Sequence, residues 1–160
     1  MQSFSVDPLE NWKRKQWIGF FTALKDKLGE GDWADRGHRG GGSLTFRWHR
    51  KEDKYLRLDK DELAFCLEVT DAANRKMTRI AWARALMAKN GLGGITIESA
   101  RRKLGKRMRV AVLKGDYRQK GERGLLDLDQ TVETLKKAEA LMDAALAESE
   151  TIEPEPRLTI

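Results

Sequence analysis

Large apolar residues recur at every second position along three consecutive segments between residues 44 and 69. The apolar positions all fall on one side of the predicted strands: Leu44, Phe46, Trp48, Leu56, Leu58, Leu63, Phe65, Leu67 and Val69. A period of two is typical of a β-strand with one buried face. Polar residues at 51–54 and 60–62 provide turns between the segments. The pattern therefore predicts an antiparallel three-stranded meander whose second face is at least partly exposed to water.

Helical periodicity marks the segment before the meander. The sequence Asp7-Pro8-Leu9-Glu10 combines a capping residue, a first-turn proline and a capping-box acid, which together favour a helix start. Apolar residues then recur at helical spacing as far as Leu28, and Gly29 ends the run. Residues 31–43 are rich in glycine but lack the Gly-Lys-Ser/Thr sequence of a phosphate-binding loop, so we predict a flexible linker there.

Two more helices are predicted after the meander. The central helix spans residues 73–90, with Met77, Ile80, Ala81 and Met87 facing inward. The last helix begins at Asp127, and its buried stripe is Val132, Leu135, Ala138, Met142 and Ala145. Between these helices, residues 96–104 are predicted to form a short helix and residues 108–114 an interior strand.

The predicted fold is α+β, with an antiparallel three-stranded meander and one further strand packed against an N-terminal, a central and a C-terminal helix. A chain of 160 residues suits one domain, which we place at residues 1–148, and the acidic segment 149–160 is predicted to be a disordered tail. No apolar run approaches the roughly 18 residues that span a bilayer, and the first residues lack a signal-peptide pattern. We therefore expect a cytoplasmic protein without a membrane partner.

The sequence offers little for metal or thiol chemistry. A single cysteine, Cys66, excludes an intrachain disulfide and a cysteine-rich zinc site, and is expected to be a half-buried apolar residue. The two histidines, His38 and His49, are eleven residues apart in no recognised ligand pattern. We predict no metal site and no cofactor on these grounds.

Charge is distributed unevenly along the chain. Residues 1–120 carry 27 Lys and Arg against 15 Asp and Glu, a net charge of +12, whereas residues 121–160 carry 4 against 10, a net charge of −6. A basic body attracts polyanions over long distances. The same asymmetry is also compatible with an acidic C-terminal helix that packs beside the basic stretch.

A cluster of cations is the predicted binding surface. Six of its members lie within nine residues and three more lie on the central helix near Trp82: Arg101, Arg102, Lys103, Lys106, Arg107 and Arg109, with Arg75, Lys76 and Arg79. Such groups neutralise phosphates and supply most non-specific affinity for nucleic acids. Two alternatives remain open: a winged helix-turn-helix, or pairing of these cations with Glu133, Glu139 or Asp143 of the final helix.

A metal-dependent nuclease is the alternative from the enzyme class. Nucleases of the PD-(D/E)XK type need an acid on one strand and Glu-x-Lys on the next, to hold a divalent ion and to organise water. With the second turn centred on Lys60-Asp61, Asp53 would face Glu68, whereas Asp59 would lie on the order of 20 Å from Glu68. The Asp53 and Glu68 pair could hold Mg²⁺, but Thr70 stands at the lysine position.

Four segments carry a resemblance to a known family: residues 41–48 (GGSLTFRW), 55–67 (YLRLDKDELAFCL), 104–112 (LGKRMRVAV) and 124–135 (GLLDLDQTVETL). They resemble the C-terminal region of a group of bacterial proteins classed in the PD-(D/E)XK nuclease superfamily, over roughly residues 10–145. In that group the catalytic acids and lysine lie upstream of the matching region. The resemblance therefore implies a fold and carries over no catalytic residue.

These observations lead to one expected function and two alternatives. We expect a non-catalytic accessory or binding module of a nucleic-acid-processing or phage-defence system, which contacts nucleic-acid phosphates or docks on a nuclease subunit. The protein would then act without a cofactor, and a homodimer is compatible with this role. The alternatives are a divergent nuclease that uses Asp53 and Glu68, and a protein-interaction module unrelated to nucleic acid with an exposed tryptophan as its anchor.

Overall fold

The computed structural model describes Leu9 and residues 12–35, 44–100 and 103–152. The protein is α+β, as predicted, with helices α1 (Arg14–Leu28), α2 (Arg75–Ala88) and α3 (Leu128–Ile152). The strands are β1 (Asp32–Asp35), β2 (Leu44–Lys51), β3 (Lys54–Asp59), β4 (Glu62–Glu68), β5 (Ile97–Ser99) and β6 (Arg107–Leu113). They form one sheet in the order β1-β2-β3-β4-β6-β5, and every neighbouring pair is antiparallel.

The predicted meander is confirmed with its register. Lys54 pairs with Leu67 and Leu58 pairs with Leu63, so the turn is centred on Lys60 and Asp61. Lys60 adopts a left-handed conformation with φ 54°, which closes this tight hairpin. The apolar face is buried as predicted, and Phe46, Trp48 and Phe65 are among its largest side chains.

All three helices pack on this apolar face of the sheet. Trp17 and Phe20 of α1, Trp82 of α2 and Leu135 of α3 belong to the same core as the sheet residues. On the opposite face, which we call the open face, Tyr55, Ala64 and Cys66 form a separate small cluster against Val112. The fold is therefore a sheet with one helical layer, and the open face carries charged side chains of β2, β3, β4 and β6.

The start of α1 differs from the prediction. The helix begins at Arg14, where Gln16 Oε1 accepts a hydrogen bond of 2.9 Å from the backbone N–H of Lys13. Trp12 precedes the helix, and the predicted starting residues Asp7, Pro8 and Glu10 lie outside the described residues. The end is confirmed, because Gly29 takes the left-handed conformation of a helix C-cap.

The inward face of α2 was predicted wrongly except at Met87, which is partly buried against the core. Met77 is 75% exposed and Ile80 is 38% exposed, and Ala81 is exposed as well. The buried residues are instead Arg79, Trp82, Ala85 and Leu86. The large indole of Trp82 sets the orientation of the helix, and Arg79 follows it inward because its long aliphatic stem packs like an apolar side chain.

Two short edge strands form where the sequence predicted a linker and a short helix. Residues 32–35, predicted as part of a flexible linker, form β1 and pair with β2. Gly31 permits this arrangement, because its φ is 121° and a side chain there would collide with the ring of Phe46. Residues 97–99, predicted as helix, form β5 against β6. The winged helix-turn-helix interpretation is therefore wrong, because its second helix is replaced by a strand.

The C-terminal helix buries the predicted stripe. Leu135, Ala138, Met142 and Ala145 are fully buried, and Val132 is partly buried. The helix extends to Ile152 and so runs past the predicted domain boundary, while the rest of the predicted tail lies outside the described residues. Within the described residues, none of the helices combines the length and the apolar character that crossing a bilayer requires.

Candidate functional site

Besides Arg50 of β2, the open face of the sheet presents four arginines on three strands. Arg47 lies on β2, Arg57 on β3, and Arg107 and Arg109 on β6, and we call them the open-face arginines. Their shared side follows from the register, because Arg47 pairs with Arg57, Arg109 pairs with Cys66, and Arg107 pairs with Glu68. The alternation of side chains along strands therefore gathers cations that are far apart in sequence.

Arg47 and Arg57 form the most unusual pair on this face. They are direct cross-strand partners, an arrangement in which like charges repel. The Nε atoms of both are buried without a hydrogen-bond partner, and neither side chain has an ion pair among the described residues. The register partner of Arg47 on β1 is Asp32, but its side chain is 93% exposed and lies 3.8 Å from Lys25 Nζ instead. The two guanidinium groups thus form no ion pair in this part of the chain, although burial raises the pKa of Asp59 and the charge of Arg57 opposes that rise.

Tyr55 lies beneath this cationic layer. The guanidinium of Arg50 lies 4.6 Å from the centroid of the Tyr55 ring, and that of Arg47 lies 5.5 Å from it. These cation–π contacts cover the ring, which leaves Tyr55 1% exposed. Burial raises the pKa of its phenol, and its hydroxyl is buried without a partner, as is that of Thr45. A cleft of about 460 Å³ opens beside these groups, and Arg47, Arg50 and Arg107 line it.

The remaining open-face arginines are paired with acids of β4. Arg109 Nη1 lies 2.6 Å from Glu62 Oε2, and Arg107 Nε lies 3.7 Å from Glu68 Oε2. A hydrogen bond from Arg50 lowers the pKa of Glu68, with a smaller contribution from the charge of Arg107. A second cleft of about 310 Å³ is lined by Arg57, Arg107 and Arg109 together with Lys103.

The predicted cationic cluster is divided by the fold. Lys103, Lys106 and Arg107 are exposed, whereas Arg101 and Arg102 lie outside the described residues. On α2, which packs on the helical face, Arg75 donates to the carbonyls of Val69 and Thr70, and Lys76 is exposed.

Arg79, the third predicted cation of α2, is 5% exposed and forms hydrogen bonds within the protein. Its guanidinium donates to the carbonyl oxygens of Arg109 at 2.7 Å and Ala100 at 3.4 Å. Pairing of the cluster with the final helix is not found in the described residues: no cation at positions 103, 106, 107 or 109 forms an ion pair with α3.

Asp53 and Glu68, the candidate metal ligands of the alternative nuclease, lie opposite each other as predicted, but both carboxylates already contact cations. The backbone N–H of Glu68 donates to the carbonyl of Asp53 at 2.8 Å. The Asp53 carboxylate accepts from Lys54 Nζ at 2.9 Å, and the Glu68 carboxylate accepts from Arg50 at 2.8 Å. A divalent ion would have to displace these partners, so this pair is a poor metal clamp.

We expect no cleavage of DNA or RNA by the purified protein with Mg²⁺ or Mn²⁺, because position 70 is threonine and both candidate carboxylates are neutralised. The measurement is a gel assay of labelled substrates with each metal. Metal-dependent cleavage that the Glu68→Ala variant loses would contradict this prediction.

Cys66 is expected to react slowly. Burial raises the pKa of its thiol to about 11. At pH 8 the reactive thiolate should then be roughly a hundredfold scarcer than in an unfolded chain. The measurement is the rate of reaction with a chromogenic disulfide, with the urea-unfolded protein as the control; equal rates before and after unfolding would contradict the buried placement.

A polar group at the edge of the sheet was missed by the sequence analysis. His49 of β2, Glu30 after α1 and Glu139 of α3 each place one potential metal-ligand atom within 4.8 Å of the others. No local motif signals this group, because its members come from three different elements.

Comparisons of the chain with known protein families, with curated proteins and with solved structures found no match.

Proposed function

We propose that this protein is a non-catalytic binding module that contacts the phosphates of nucleic acid through the open face of its sheet. The observation that carries the proposal is the Arg47 and Arg57 pair, two adjacent cations that form no ion pair among the described residues. The wider role in nucleic-acid processing or phage defence stays a prediction from the sequence.

An anion between these two arginines would remove an unfavourable interaction. Like charges at directly opposed positions destabilise a sheet, and buried donors without acceptors cost further free energy. Phosphate offers several acceptor oxygens and matches the planar guanidinium in bidentate geometry. The ligand with the greatest complementarity to this pair is therefore an anion of the phosphate class.

The distribution of the cations favours a polymer over a single phosphate. Unpaired cations occur at Arg47, Arg57 and Lys103 within the described residues, and the two clefts lie beside them. A ligand that spans both clefts must repeat its negative charge, as a nucleic-acid backbone does. The net charge of +12 over residues 1–120 adds long-range attraction for such a ligand.

The test is the salt dependence of binding to labelled single-stranded and duplex oligonucleotides. The Arg47→Ala/Arg57→Ala double variant should reduce the salt slope by about 1.8 for a duplex and about 1.4 for a single strand, because each phosphate contact contributes about 0.9 or 0.7. Sequence preference should change little, since phosphate contacts carry no direct sequence information.

The matched control removes two positive charges from the helical layer. Lys15 of α1 and Arg84 of α2 are exposed, so the Lys15→Ala/Arg84→Ala variant should keep the wild-type slope. An equal loss of slope in both double variants would show that only net charge matters. Absence of binding at low salt, with stability lost in the Arg47→Ala/Arg57→Ala variant alone, would mean that these arginines serve only the stability of the fold.

A further inference from the structure

His49 is buried at the point where three elements meet. It lies at an irregularity in β2 with φ 59°, and it is 8% exposed. Its Nδ1 atom lies 3.9 Å from Glu30 Oε2 and 3.9 Å from Glu139 Oε1. In the part of the chain that the structure describes, this nitrogen makes no hydrogen bond. A ring nitrogen of a buried residue thus faces two carboxylate oxygens without a hydrogen bond to either.

Each member of this group is oriented through its other polar atom. Glu30 Oε1 accepts a hydrogen bond of 3.1 Å from the backbone N–H of His49, and Glu139 Oε2 accepts one of 2.7 Å from Trp48 Nε1. His49 Nε2 lies 2.8 Å from Asp143 Oδ1. Three ligand atoms are therefore held in place by hydrogen bonds made elsewhere on the same side chains, as in metal sites whose outer partners orient the ligands.

The contact with Asp143 fixes the tautomer of the neutral imidazole. An ionised carboxylate can only accept, so Nε2 must carry the proton that it donates to Asp143. The lone pair of the neutral ring then lies on Nδ1, the atom that faces Glu30 and Glu139. This tautomer and a carboxylate behind the imidazole are the usual arrangement of a metal-bound histidine.

The charge of the group calls for a cation. Three carboxylates, those of Glu30, Glu139 and Asp143, surround one histidine, and Lys136 Nζ is 3.8 Å from Glu139 Oε1. The side chain of Glu139 is 13% exposed, so its charge is poorly screened by water. A metal ion between these groups would balance the excess negative charge.

We propose that Glu30, His49 and Glu139 bind a first-row divalent transition metal, with Zn²⁺ as the ion that suits the donors. Imidazole nitrogen combined with carboxylate oxygen favours such ions over Mg²⁺, which prefers oxygen ligands alone. Tetrahedral Zn²⁺ requires ligand atoms about 3.3 Å apart, so the two distances of 3.9 Å from His49 Nδ1 would each shorten by about 0.6 Å.

Three protein ligands leave a fourth coordination position. Glu30 and His49 also line the 460 Å³ cleft that Arg47 and Arg50 share. Water or an anion in the cleft can therefore supply the fourth ligand. The ion would also join the α1–β1 connection, β2 and α3, and its binding should stabilise the fold independently of any nucleic acid.

The experiment measures Zn²⁺ binding to the full chain by calorimetry and Co²⁺ binding by visible absorption, with thermal unfolding in parallel. We expect one Zn²⁺ per chain, a raised melting temperature, and no comparable effect of Mg²⁺. The Glu30→Gln and Glu139→Gln variants should each lose affinity by roughly a hundredfold or more, and Asp143→Asn by roughly 10–100-fold.

Glu133→Gln is the matched control, because Glu133 is an exposed glutamate of α3 outside the group, and it should bind Zn²⁺ as the wild type does. Glu30→Gln guards against misfolding, since glutamine can still accept from the His49 backbone N–H. Metal-free variants should keep the wild-type circular dichroism spectrum. Wild-type affinity in both Glu30→Gln and Glu139→Gln, or no Zn²⁺ or Co²⁺ binding by the wild type, would overturn the proposal.

Discussion

Replacement of Phe65 by alanine is expected to lower the free energy of unfolding by about 3–5 kcal/mol. Phe65 lies in the middle of β4, pairs with Leu56 on one side and Ala111 on the other, and is fully buried under the helices. Removal of the ring would leave a cavity that neighbouring strands cannot fill. Chemical denaturation followed by circular dichroism measures the change.

Met77→Ala is the control for this measurement. Sequence periodicity placed Met77 in the core, whereas its side chain is 75% exposed, so the substitution should change stability by less than about 0.5 kcal/mol. A loss below about 1 kcal/mol for Phe65→Ala would mean that the register is one residue out. A large loss for Met77→Ala would instead restore the predicted orientation of α2.

The meander was predictable because two local signals agree. Strict alternation identifies the buried face of each strand, and the polar residues around Lys60 and Asp61 fix the hairpin turn. Together they determine which residues face each other, and the observed pairing of Lys54 with Leu67 follows from the same centre. A slip by one residue would expose the entire apolar set, so the register is strongly specified.

The edge strands were not predictable in the same way. β1 has 4 residues and β5 has 3 residues, which is too short for alternation to be distinguished from chance. Their extended conformation depends on pairing with β2 and β6, which supply the hydrogen bonds. Strand formation at these positions is a consequence of the tertiary fold and leaves little trace in the local sequence.

The candidate surface could be predicted only in part. The run of cations before β6 is visible in the sequence, but the significance of Arg47 and Arg57 appears only when the register places them side by side. The group around His49 is harder still, since the backbone of His49 bonds to Glu30 across 19 residues and its ring bonds to Asp143 across 94 residues. Ligands so distant in sequence form no motif.

Replacement of Arg79 by methionine is expected to destabilise the protein by about 2–4 kcal/mol, because hydrogen bonds from a charged donor are strong and their buried acceptors would lose a partner. The guanidinium of Arg79 joins α2 to β6 through the carbonyl of Arg109 and to the end of β5 through that of Ala100. Methionine keeps most of the aliphatic stem, so the measured loss reports mainly on these hydrogen bonds.

Arg84→Met on the exposed side of the same helix is the control, and it should change stability by less than about 0.5 kcal/mol.

Nucleic-acid binding provides a second measurement, which distinguishes an arginine that stabilises the fold from one that binds phosphate. Because the Arg79 guanidinium donates hydrogen bonds to backbone carbonyls, Arg79→Met should leave the salt slope of nucleic-acid binding unchanged at temperatures where the variant is folded. A reduced slope with unchanged stability would show instead that Arg79 reaches phosphate, which would require α2 to expose the side chain that it buries here.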